Sequence, residues 1–68
     1  MKCVISYDIT SDKRRRRVDR TLLGYGTRVQ KSVFEALLSS REYEKMVEQL
    51  EDLIDADSDG IRVYILCE

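Results

Sequence analysis

Two stretches of this chain place apolar residues at helical spacing, and each is flanked by short segments built for β-strand. That order limits the fold more than any single motif. The more strongly marked helix begins at Ser39, where Ser39 followed by Glu42 forms a capping box. Tyr43, Met46, Val47, Leu50, Leu53 and Ile54 then line one face at a period near 3.6. The other helix has Ser11 or Asp12 as its cap and runs to about Leu23, where Gly24 and Gly26 end it. Its apolar stripe is narrow: Val18 and Leu22, helped by Tyr25 and the stem of Arg14.

Residues 2–8 read as a first strand with apolar residues on both faces, and residues 61–66 as a last one, apolar on alternate positions plus Leu66. Between the helices, residues 27–38 favour strand, but the alternation slips: Val29 and Val33 share a parity that Phe34 breaks. A turn or bulge near residues 30–32 would divide this stretch into two short strands. The resulting order is strand, helix, strand, strand, helix, strand. Two split βαβ units with right-handed crossovers predict an α+β, ferredoxin-like sandwich, in which a four-stranded antiparallel sheet carries both helices on one face. Residues 1–68 are expected to form one such domain.

Two helices cover only one face of a sheet. Yet Val4 opposes Cys3, Ile5 and Tyr7, and Tyr64 and Leu66 oppose Ile61, Val63 and Ile65. A sheet apolar on both faces needs a second cover, and a homodimer through the open face is the economical one. It would also supplement the marginal core of a chain of 68 residues. The two cysteines, Cys3 and Cys67, stand at opposite ends, and this topology could bring them close. With no signal peptide and no apolar run of membrane-spanning length, a cytoplasmic chain with reduced thiols and no membrane contact is expected.

The net charge of −1 hides a dipolar layout. Residues 13–31 hold eight basic side chains against Asp19 alone, and residues 35–59 hold nine acidic ones against Arg41 and Lys45. Within the basic half, Arg14 to Arg17 are consecutive. The pairs Asp12–Arg16 and Arg15–Asp19 stand at i,i+4 and would account for two of the four. Cations crowded into the first turns of a helix oppose its macrodipole, so a phosphate-binding role for the block is favoured over a merely soluble face.

Asp8 ends the run Val4-Ile5-Ser6-Tyr7. A strand-end carboxylate is often only a turn residue, but beside guanidinium groups it also suits a hard cation acting on phosphate esters. Residues 55–60 match the opening of an EF-hand calcium loop. The bidentate Glu needed at its twelfth position is Leu66, and a strand follows instead of a helix, so a polar turn is the better reading. The absence of histidine excludes imidazole acid–base chemistry, two lone cysteines make no zinc site, and no phosphate-cradling glycine loop is present. Cleavage by this chain would need a metal to activate water.

Val-Ile-Ser-Tyr-Asp-Ile-Thr at 4–10, the arginines of the first helix, and Gly-Thr-Arg-Val-Gln-Lys-Ser-Val-Phe-Glu at 26–35 closely resemble the second universal CRISPR-associated adaptation protein, the Cas-two family. The resemblance covers essentially the whole chain. It implies a ferredoxin-like homodimer in which Asp8 and its copy from the other subunit bind Mg2+ near the two-fold axis. It also implies a metal-dependent endonuclease acting on RNA or double-stranded DNA, and a nucleic-acid scaffold that bridges dimers of the CRISPR integrase during spacer acquisition. A toxin-like ribonuclease of the virulence-associated D type is the related alternative. By motif, Asp8 is the catalytic and metal-binding residue, Tyr7 adjoins it, Arg15 and Arg17 are the helix arginines, and Arg28 and Phe34 fall among the nucleic-acid-binding positions of the strand region. Family members usually continue past the last strand with a segment that pairs across the dimer, and this chain stops at Glu68. A shortened tail is therefore expected, with consequences for dimer stability and integrase contacts.

Overall fold

The computed structural model describes residues 1–67, with the side chain of Cys67 outside the described part. The elements are β1 (Lys2–Asp8), α1 (Asp12–Leu23), β2 (Thr27–Gln30), β3 (Val33–Leu37), α2 (Ser40–Leu53) and β4 (Gly60–Cys67). All pairings are antiparallel, in the spatial order β2-β3-β1-β4. The ferredoxin-like sandwich is therefore the fold.

Local chemistry accounts for the boundaries. The Ser11 side chain accepts from the Arg14 amide and opens α1, whose end turns tightly at Gly24. At α2, Ser39 Oγ accepts from the Glu42 amide (3.1 Å), and Glu42 Oε1 accepts from the Ser39 amide (2.8 Å), completing the capping box. The slip in alternation between residues 27 and 38 is a register shift between Arg28 and Gln30 followed by a turn at Lys31 and Ser32.

One face of the sheet packs on both helices. Cys3, Ile5 and Tyr7 of β1 and Phe34 and Ala36 of β3 meet Val18 and Leu22 of α1 and Met46 and Leu50 of α2. The other face is open. Leu37 (78% exposed), Leu66 and Tyr64 lie bare there. The expected two-sided apolar sheet is present, and the helices cover only half of it. In β4 a second register shift sets Cys3 opposite Ile65 and the backbone of Cys67 opposite Lys2. Cys3 is a buried, free thiol, and the expected approach of the Cys67 side chain falls outside the described residues.

Candidate functional site

Strand alternation sends Tyr7 and Asp8 to opposite faces. Asp8 stands exposed at the end of β1, on the open face, opposite Gly60 of β4. Among the described residues it makes no side-chain hydrogen bond and no ion pair. With Ser6, Gly60 and Arg62 it lines a shallow hollow. Ser6 pairs with Arg62, so Arg62 is the diagonal neighbour of Asp8 on the same face. Sequence reasoning passed over Arg62. Its outward parity in the last strand was the available signal, but only the β1–β4 register sets it beside Asp8.

Tyr7 points into the sandwich and is 5% exposed. Its hydroxyl donates to Asp19 Oδ1, and its ring stacks on Phe34 with centroids 6.2 Å apart. Arg28 reaches the same carboxylate from β2 (3.1 Å to Asp19 Oδ2), donates to the Lys31 carbonyl, and lies over the Phe34 ring, 5.1 Å from its centroid. Burial first, and then the Asp19 carboxylate, push the Tyr7 phenol above the ordinary range, against the opposing pull of Arg28 and Arg15. Phe34 is wholly enclosed, so its core role fits this burial and a base has no path to its ring. Tyr7, Arg28 and Phe34 are thus brought together on the helix side, while Asp8 stands apart on the other.

The arginine block divides by partner. Arg14 binds Asp59 through Nε (2.8 Å) and Nη2 (3.3 Å), and the Asp59 side chain is fully enclosed. Arg15 pairs with Asp12, one helical turn back. The expected i,i+4 pairs are absent. Asp12 takes Arg15 rather than Arg16, and Asp19 is occupied by Tyr7 and Arg28 because α1 turns it toward the sheet. Arg16 and Arg17 are exposed and make no ion pair among the described residues. Two of the four cations that oppose the macrodipole are therefore compensated.

Residues 55–59 form a polar turn, and Gly60 already opens β4. Asp59 Oδ2 accepts from the Asp55 amide and Asp55 Oδ1 from the Asp57 amide, so the acidic side chains serve the turn itself. Arg14 first, and then the Asp55 and Thr10 amides, hold the Asp59 carboxyl well below the usual carboxylate range. Among the described residues no three carboxylate or thiol side chains converge as a metal cage.

A ferredoxin-like sandwich with a free strand-end carboxylate and an arginine-bearing first helix defines the class, a small α+β protein. The chain belongs to the CRISPR associated protein Cas2 family, whose model matches residues 1–68. It is 53% identical over 66 residues to "CRISPR-associated endoribonuclease Cas2 3" of Chloroflexus aurantiacus, covering 97% of this chain and 71% of that one. The Cas2 crystal structure from Streptococcus pyogenes superposes with a TM-score of 0.92 at 35% identity, over 98% of this chain and 87% of that one. A chain of a partial Cas6-RT-Cas1–Cas2 complex matches with a TM-score of 0.79 at 33% identity, over all of this chain and 76% of that one. Among the described residues no helix is long and apolar enough to cross a membrane.

Proposed function

We propose that this chain is the subunit of a cytoplasmic, metal-dependent endonuclease of CRISPR adaptation, cleaving phosphodiester bonds in RNA or double-stranded DNA. The observation that carries this reading is the free Asp8 carboxylate, held at a strand end on the uncovered face of the sheet. Relatives bearing the name endoribonuclease support it. A homodimer through the open face would add the Asp8 of the second copy.

The donor set fits magnesium, which keeps several waters and takes one or two carboxylates together with substrate phosphates. Asp8 is a hard oxygen donor with no competing partner among the described residues. When bound, the ion would activate water and polarise the phosphate. Arg62, beside Asp8, would receive the phosphate oxygens in its guanidinium fork. Arg17 would neutralise the nucleic-acid backbone, joined by Arg15 once it exchanges Asp12 for phosphate, an exposed pairing of small worth. Tyr7 and Phe34 would act from within, by holding Arg28 and the end of β1 in place.

A second reading is a non-catalytic scaffold that holds nucleic acid and docks the CRISPR integrase. One carboxylate per hollow favours it, as does a relative found in a Cas1–Cas2 complex. Asp8→Asn separates the two. On the nuclease reading, magnesium-dependent cleavage of an RNA and DNA panel and spacer acquisition both vanish in the variant. Acquisition that survives without cleavage would leave the scaffold as the role.

A further inference from the structure

We infer that Asp59 and Arg14 form a positioning clamp for the Asp8 end of β1, and that Arg14, despite opening the arginine block, is not a phosphate ligand. This inference rests on the nuclease reading of Asp8 above. The enclosed Asp59 carboxylate gathers donors from three places. It accepts from the Thr10 amide (3.2 Å) and hydroxyl (3.4 Å), from Arg14 Nε (2.8 Å) and Nη2 (3.3 Å), and from the Asp55 amide (2.9 Å). Arg14 Nη2 also donates to Thr10 Oγ1 and Ser58 Oγ (3.3 Å each).

The placement of these groups matters. Thr10 lies two residues beyond Asp8, in the connection from β1 to α1, and Gly60, next to Asp59, is the partner of Asp8 across the β1–β4 ladder. Asp8 is the last residue of its strand, where ladder pairing stops and the chain would otherwise fray. One carboxylate thus ties the segment after β1 to the start of β4, and Arg14 anchors that carboxylate to α1. The Arg14 fork is spent on Asp59, Thr10 and Ser58, which leaves phosphate neutralisation to the other arginines of α1, Arg17 first among them.

The test compares Arg14→Gln, Asp59→Asn and the double variant with Arg17→Gln. It reads nuclease kcat and KM, nucleic-acid affinity against salt, and backbone hydrogen exchange over residues 7–10 and 60–62. The clamp predicts about tenfold or greater loss of kcat in both single variants. It predicts affinity and salt slope close to the unmodified protein, and faster exchange at the Asp8 end. Because both residues belong to one unit, the double variant should be no worse than either single one. Arg17→Gln should instead lower affinity and flatten the salt slope by about one unit. A flattened slope in Arg14→Gln would make Arg14 a phosphate ligand and overturn the inference. Folded variants with unchanged kcat and exchange would also overturn it. If Arg14→Gln does not fold, Arg14→Lys keeps the charge and loses the fork, with the same outcomes. If the unmodified protein cleaves nothing, the nuclease reading fails by itself, and exchange at residues 7–10 still decides whether the clamp exists.

Discussion

Asp19 shows at the scale of one residue how a surface-looking carboxylate becomes structural. It receives the Tyr7 hydroxyl and the Arg28 guanidinium, tying β1, β2 and α1 together below the uncovered face. Tyr7→Phe leaves the Asp19–Arg28 pair intact and should cost about 2 kcal/mol in denaturant unfolding, the usual net worth of a hydrogen bond to a charged group. The fold favours the neutral phenol, because its pKa is raised. That contribution is present below about pH 10, the unfolded phenol value, and is lost as pH rises through the higher folded one. Alkaline unfolding should therefore differ between the parent and Tyr7→Phe. Gly26 is constrained differently. A Cβ there would meet Glu35 O at 2.0 Å and the Ala36 Cβ at 2.9 Å. Gly26→Ala should destabilise by about 3 kcal/mol through overpacking where backbone cannot yield, measurable in the same unfolding experiment.

Among the elements, α2 owes its start to a few residues at its N-terminus. Ser39→Ala removes the acceptor of the Glu42 amide and should cost about 1 kcal/mol, read as a lowered melting temperature. The cap also holds Glu42 below its usual pKa, chiefly through the Ser39 backbone hydrogen bond. That contribution is present above the ordinary carboxylate pKa near 4.3 and is lost as pH falls through the depressed folded value. The parent and Glu42→Gln, which removes the charge that the Ser39 amide stabilises, should therefore converge in stability in acid. α1 behaves otherwise. Its cap is local, at Ser11, but its charge balance is not: Arg14 finds its counterion 45 residues away.

For the whole molecule, the decisive feature is a sheet finished on one side only. Leu37, Tyr64 and Leu66 are bare on the uncovered face, and Asp8 sits at one end of it. A homodimer across this face would bury them and bring two Asp8 carboxylates toward one axis. Tyr64→Glu would place a charge opposite Val4 on that face. It should raise the dimer dissociation constant at least tenfold in sedimentation equilibrium, since burying an unpaired charge is costly. Monomer fold, read by circular dichroism, should be retained, because Tyr64 is 47% exposed in the monomer. A parent that sediments as a monomer at all concentrations would remove the second carboxylate on which the proposed magnesium site depends.

The order of elements, both helix caps, the broken strand between residues 27 and 38, and the two-sided apolar sheet were legible in the chain alone. Periodicities of 2 and 3.6 and capping side chains act over a few residues, so local spacing records them. Asp8 was legible for the same reason, as the last residue of a strand. The partners of the charges were not. Arg14 meets Asp59, Arg28 meets Asp19, and Arg62 comes beside Asp8 only through strand register and helix docking. Which cations are left free for phosphate is a question of distance in space. Spacing along the chain cannot answer it, because the residues that compete for each guanidinium come from elements the fold alone brings together.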